Sequence, residues 1–227
     1  DGDRFRINGQ KIWTSYAHVA DWCILMTRTD ASGTKHEGIT ALMVDMDQPG
    51  VTTERLHQIN DDREFNQVFF DDAIAKQEHV LGDVDQGWEV IRTISSFEQS
   101  ESWIFDIERR WEEIREYCET HSRDGEPLIE KPWIRRRLAE FHTEIQAGKL
   151  VLYRNTFRHQ ESGVPGSEGS LDSLVSKELG HDLEEFALDV LGPAGMLWSD
   201  DLDRHRWIYK FLTSFGQWIA AGTGDIY

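Results

Sequence analysis

With 227 residues, 39% of them hydrophobic, the chain can bury one substantial core or two small ones that lean on each other. Forty-two acidic against 24 basic residues leave a formal charge of −18, which repels phosphate backbones and anionic lipid and argues against general nucleic-acid or membrane-surface binding. Cys23 and Cys118 are too few for a disulfide scaffold or a cysteine metal set. No stretch reaches the roughly 20 apolar residues of a membrane-spanning helix, and Asp1-Gly2-Asp3 is unlike a signal peptide, so a soluble protein of the reducing cytoplasm is expected, without membrane insertion.

From Phe5 to about Ala75 the punctuation is that of strands and turns. Asn8-Gly9, Ser32-Gly33, Gln48-Pro49-Gly50 and Asn60-Asp61 separate short apolar runs. Trp22 to Met26, Ile39 to Val44 and Val68 to Phe70 are rich in β-branched and aromatic residues and read as antiparallel strands of a sandwich or barrel. Short buried helices are the alternative.

After Gly87 the apolar period changes to one near 3.6. Val90 or Ile91, Ile94, Phe97, Ile104 or Phe105, Trp111, Ile114 and Cys118 recur on one face and predict a helix of about 30 residues. The Arg123 to Pro127 turn breaks it. Pro132 then stands in the first turn of a second helix, with Ile134, Leu138, Phe141, Ile145, Gly148 and Leu152 aligned. Residues 163–169 form a Gly/Ser/Pro loop. A third helix is expected over about 170–191, ending at Gly192-Pro193, and a fourth over about 204–221. Four consecutive helices with short connections pack most economically as an antiparallel bundle. The predicted fold is α+β, with an antiparallel β-domain over 1–86 followed by a helical bundle over 87–227. Phe186, Leu188, Trp207, Ile208, Phe211, Leu212, Phe215 and Trp218 lie on more than one face of the last two helices, so a homodimer, homotetramer or hetero-oligomer is expected.

Generic catalytic signatures are missing. There is no phosphate loop, no G-x-S-x-G, no His-Glu-x-x-His and no Rossmann glycine set. The 9 histidines are scattered, and no metal site is expected. From the residues alone the reading stops at a β-rich half followed by a helical half.

An ordered set of short motifs carries more. Asp3-x-Phe5-x-Ile7-Asn8-Gly9-x-Lys11-Ile12-Trp13-Thr14-Ser15, then Ala20-Asp21, resembles the β-domain segment of the acyl-CoA dehydrogenase family that meets the flavin. Glu64-Phe65-Asn66-x-Val68-Phe69-Phe70-Asp71-Asp72, Gly82-x-x-x-Gln86-Gly87-Trp88, Arg137-Leu138-Ala139-Glu140, Leu191-Gly192-x-x-Gly195 and Gly222-Thr223 follow in the same order and approximate spacing. The resemblance covers essentially the whole chain. It implies FAD as cofactor, α,β-dehydrogenation of an acyl-CoA thioester, and electron transfer to an electron-transfer flavoprotein. By the same resemblance Trp13 lies against the isoalloxazine ring, Thr14 adjoins it and Ser15 offers a hydroxyl near flavin N5. Gly222 and Thr223 match a Gly-Thr pair beside the flavin, while Gly192 and Gly195 match glycines at the adenine-dinucleotide end across a subunit interface. A buried strand tryptophan and a plain helix C-terminal cap are the alternatives for Trp13 and Gly192.

Two departures bear on catalysis. Many family members carry a catalytic glutamate immediately before the Gly-Thr pair, where this chain has Ala221. Others take the base from the first bundle helix, ten positions beyond Trp88, which is Glu98 here, followed by Gln99 in place of an arginine. Glu101 is a second candidate one turn on. The arginine expected before the turn glycine falls in His121-Ser122-Arg123-Asp124-Gly125, so its adenine contact is lost or moved. These departures keep two other functions open: a non-catalytic structural subunit of a mixed assembly, and a flavin-dependent oxidase relative.

Overall fold

A computed structural model describes residues 2–98, 103–162, 168–198 and 202–220. The chain is α+β and divides into two compact units, Asp1–Ser95 and Ser96–Tyr227.

The first unit is built from two antiparallel three-stranded sheets. In one, β1 (Arg4–Ser15) and β4 (Val51–Arg55) flank β5 (Phe65–Lys76). In the other, β2 (Trp22–Arg28) and β6 (Val80–Leu81) flank β3 (Ile39–Asp45). Alternate side chains turn inward. Ile7, Val68, Phe70 and Ala73 from the first sheet meet Leu25, Leu42 and Val44 from the second in one apolar core, the arrangement of a sandwich. The three strands read from the apolar runs are present. One turn is corrected: Asn8-Gly9 does not separate strands but lies inside β1, opposite a bulge of β5 in which Asp71 and Asp72 face the single residue Asn8. Asn8 keeps the ladder closed there, since its Nδ2 donates to Asp72 Oδ1 at 3.0 Å and its Oδ1 accepts from the Asp72 amide at 2.9 Å.

Gln48-Pro49-Gly50 is a true turn. Gly50 has φ +87°, and a Cβ built on it would stand 2.1 Å from the Asp71 carbonyl oxygen. Gly50→Ala combines a left-handed backbone with a clash against strand backbone, so it is expected to destabilise this unit by about 2–4 kcal/mol. A urea midpoint unchanged from wild type would contradict that packing.

Helix α1 (Gly87–Glu98) begins where Gly87 lies so close to β3 that an added Cβ would meet the Ala41 amide nitrogen at 2.5 Å. The predicted helix of about 30 residues is described as α1 and α2 (Trp103–Thr120), on either side of residues 99–102. A short hairpin, β7 (Ser122–Arg123) with β8 (Glu126–Pro127), forms the expected turn, with Asp124 and Gly125 both at positive φ. Helices α3 (Pro132–Ser162), α4 (Glu168–Leu191) and α5 (Leu202–Ile219) complete the second unit.

The predicted stripes of α2 and α3 are the buried ones, whereas Val90, Ile91 and Ile94 of α1 are half-buried. Ile104, Ile114 and Cys118 of α2 pack with Ile134, Leu138, Phe141 and Ile145 of α3, and Ile107 joins them. Phe105, the other choice beside Ile104, is half-exposed. Phe186, Leu188, Trp207 and Ile208 are absorbed into this core and Phe211 and Leu212 pack against it half-buried, which leaves Phe215 and Trp218 as the exposed members of the set that pointed to an oligomer. Among the described residues, no helix is long and apolar enough to cross a membrane.

Candidate functional site

The end of β1 departs from regular strand geometry. Lys11 pairs with Val68 and Thr14 with Asn66, so β1 holds one residue more than β5 over this stretch. The bulge turns Trp13 into the left-handed region at φ 63°, and Tyr16 follows at φ 53°. For a bulky residue this conformation costs about 1–2 kcal/mol and persists only where its surroundings over-determine it. They do so here. The Asn66 side chain donates to the Thr14 carbonyl at 3.0 Å, the Tyr16 amide donates to the Glu64 carbonyl at 2.8 Å, and Phe65 packs against the indole of Trp13 with centroids 6.1 Å apart at 85°.

The result is an indole that is 62% exposed on a fixed backbone. Trp13 is therefore not a buried strand tryptophan. Ile12, Tyr16 and Val19 of the same segment are also exposed. A segment that shows several large apolar groups to solvent while its backbone is clamped has the character of a binding surface. Thr14 is half-buried and Ser15 exposed, so hydroxyls stand directly after the indole in the chain.

In the second unit, Gly192 directly follows α4 at φ 65°, the geometry of a helix C-terminal cap. The Arg123 guanidinium donates to the Val190 carbonyl at that helix end, where cationic donors are favoured. A Cβ on Gly192 would lie 3.1 Å from the same guanidinium, and one on Gly195 would lie 2.9 Å from Leu191 Cβ. Packing at the end of α4 thus gives both glycines a local reason to be glycine. Arg123 is engaged within its own unit, and His121 stacks on Tyr117 at 3.9 Å with its Nδ1 3.1 Å from the Tyr117 carbonyl oxygen.

Glu98 is the final residue of α1, and its side chain lies outside the described part of the structure. Glu101, Ala221, Gly222 and Thr223 lie outside the described residues. The structure therefore brings Trp13, Thr14 and Ser15 together on one clamped segment, and it sets Gly192 and Gly195 at one helix end. Neither cysteine is poised as a nucleophile: burial raises the Cys23 pKa, and burial followed by Glu119 raises that of Cys118 to about 11. Among the described residues there is no group of three or more His, Cys, Asp or Glu that could hold a metal ion.

Asn66 and His18 escaped a functional reading of the sequence. Asn66 is fully buried, and its Oδ1 lies 3.1 Å from His18 Nδ1. The signal available was a buried polar residue inside an apolar strand, Phe65-Asn66-x-Val68, whose bonding partners only the fold reveals.

Residues 1–73 match the model of the acyl-CoA dehydrogenase middle domain, and residues 85–226 match that of the acyl-CoA dehydrogenase C-terminal domain. The chain is 34% identical over 226 residues to the acyl-CoA dehydrogenase IpdE1 of Mycobacterium tuberculosis, a match covering 100% of the chain and 57% of that protein. The fold is similar to that of an acyl-CoA dehydrogenase from Geobacillus kaustophilus, with TM-score 0.88 and 23% identity, covering 100% of this chain and 60% of that one. It is similar as well to a chain of the ChsE4-ChsE5 complex from Mycobacterium tuberculosis, with TM-score 0.84 and 24% identity, covering 100% and 59%. The chain thus spans little more than half the length of its relatives. Two family models in the expected order, one of them spanning most of the chain, establish that it belongs to the acyl-CoA dehydrogenase family.

Proposed function

We propose that this chain is the flavin-facing part of an FAD-dependent enzyme that introduces an α,β double bond into an acyl-CoA thioester and hands the electrons to an electron-transfer flavoprotein. The observation that carries this reading is Trp13: a large aromatic side chain, 62% exposed, held at φ 63° by a clamped bulge within the family's middle domain.

The residues present fit FAD. An indole face open to solvent suits a planar ring system, because stacking gains from apolar contact and from complementary ring quadrupoles. Thr14 and Ser15 supply hydroxyls for the polar edge of such a ring. FAD, when bound, supplies a two-electron acceptor for the hydride leaving the β-carbon. Trp13 binds and orients it, Ser15 offers a hydrogen bond near its N5, and Glu98 takes the α-proton. Gly192 and Gly195 are assigned to the adenine end from a neighbouring copy in a dimer, tetramer or hetero-oligomer, and Gly222 and Thr223 flank the flavin and thioester.

Trp13→Ala in the full-length protein tests the assignment. Loss of one stacked aromatic is expected to weaken flavin retention roughly tenfold and to raise flavin fluorescence. Flavin content and emission equal to wild type would remove Trp13 from the site. A non-catalytic subunit of a mixed assembly is a second reading, favoured by Ala221 and Gln99 at positions where the family pattern implies glutamate and arginine. An oxidase relative is the third, and it would be recognised by peroxide formed in air.

A further inference from the structure

We propose that Asn66 and His18 are positioning residues that hold the Trp13-Thr14-Ser15 segment in its flavin-receiving geometry, an inference that rests on the flavin reading above. Asn66 stands in the central strand β5, directly opposite Thr14. Its side-chain nitrogen donates to two backbone carbonyls, Thr14 at 3.0 Å and Glu64 at 2.8 Å. Those two acceptors fix the amide's orientation, because a flipped amide would set Oδ1 against two carbonyl oxygens. Oδ1 must then be the acceptor toward His18, 3.1 Å away, and His18 Nδ1 carries the proton.

Two of these bonds end on one piece of chain, at Thr14 and His18, and the third ends on Glu64, which itself bonds to that piece. The Thr14 carbonyl shares a peptide plane with the Ser15 amide, so the bond from Asn66 sets the orientation of the residue assigned to flavin N5. The Glu64 carbonyl receives both Asn66 Nδ2 and the Tyr16 amide, which ties the second positive-φ residue to the same anchor. His18 belongs to the turn in which the Tyr16 carbonyl accepts from the Val19 amide at 3.0 Å and the Ala20 amide at 3.1 Å. A buried amide serving only its own strand would bond within the ladder. Asn66 joins the strand end, the turn and the central strand at one fully buried point.

The test uses full-length holoprotein and three variants. Asn66→Asp keeps the shape but loses both donors, and the Kd for FAD is expected to rise roughly tenfold or more. His18→Ala leaves Asn66 Oδ1 without its donor and is expected to act in the same direction, whereas His18→Gln retains a donor and recovers part of the loss. Because the clamp acts through the indole segment, Asn66→Asp should add little to Trp13→Ala in a double-mutant cycle on flavin affinity. Full additivity, or FAD affinity that changes only in step with thermal stability, would overturn the proposal. Fluorotryptophan NMR gives a readout independent of flavin: the Trp13 resonance, identified by Trp13→Phe, should shift in Asn66→Asp and His18→Ala and return toward wild type in His18→Gln. An unmoved resonance would sink the clamp. A wild-type protein that takes up no FAD while the resonance moves would instead refute the flavin reading and leave the clamp standing. Should Asn66→Asp fail to fold, the two His18 variants carry the comparison.

Discussion

Glu98→Gln in the full-length protein is expected to leave FAD bound while slowing acyl-CoA-driven flavin reduction roughly 10²–10⁴-fold, the scale of general-base loss. A proton next to a thioester is weakly acidic, so its removal needs a positioned carboxylate in a water-poor pocket, where desolvation lifts the pKa toward the working pH. Ala221 has no such group. On the reading proposed above, the first bundle helix supplies that carboxylate, and Glu98, eleven residues after Gly87, is the one assigned. Glutamine keeps the size and removes the basicity. Glu101→Gln should change the rate far less. Rapid-reaction absorbance at the flavin band measures both, and a Glu98→Gln rate equal to wild type would assign the base elsewhere.

Glu184→Ala is expected to destabilise the second unit by about 3–5 kcal/mol, because it strips the buried Arg110 guanidinium of its bidentate partner and leaves it Glu113 alone. Arg110 is 4% exposed and lies between three helices. Its guanidinium forms a bidentate pair with Glu184, with Nε and Nη2 donating at 2.9 and 3.0 Å. It also donates to Glu113 at 3.0 Å and covers the Trp207 ring at 4.2 Å from its centroid. Glu113 in turn binds Arg206 and lies 3.7 Å from Lys210. One cation from α2 thereby fastens α4 and α5. Replacing Arg110 and Glu184 together by Met and Leu should restore most of the loss, since an apolar pair of similar volume leaves no charge unpaired. Thermal unfolding should show a fall of about 10–20 °C for Glu184→Ala. A fall of only a degree or two would mean that Glu113 and water suffice to satisfy Arg110.

The same network has a pH signature. Burial raises the Glu113 pKa, but Arg110, Lys210 and Arg206 outweigh it and leave the value lowered from the usual 4.5. The unfolded chain therefore binds the proton more readily than the folded one. The stabilisation is complete above pH 4.5 and disappears as the pH falls through the depressed folded value.

Periodic features of the sequence translated well into structure. The stripe Ile134, Leu138, Phe141, Ile145 became the buried face of α3, and Pro132 opened that helix, because helical spacing and a fixed φ are local properties. Non-local features did not translate. Asn8-Gly9 has the composition of a hairpin turn, yet cross-strand bonds to Asp72 hold it inside β1, opposite a bulge of β5. Nothing in Lys11-Ile12-Trp13-Thr14 announces a second bulge, since no Gly, Pro or Asn marks the positive φ at Trp13. Only partners far along the chain impose it. Arg110 and Glu184 are 74 residues apart, and one pair among 24 basic and 42 acidic residues has no sequence signature. The resemblance singled out Trp13 and Ser15, but the amide that clamps them could be found only once Asn66 and Thr14 faced each other across two strands.

Anaerobic titration of the full-length holoprotein with a panel of acyl-CoA thioesters of differing length and branching, following the flavin absorbance, decides whether this protein is a dehydrogenase. A dehydrogenase is expected to be a yellow protein whose visible band bleaches with at least one thioester and recovers on addition of an oxidised electron-transfer flavoprotein. A colourless protein, or a yellow one that no acyl-CoA bleaches, would contradict that reading and favour the non-catalytic subunit.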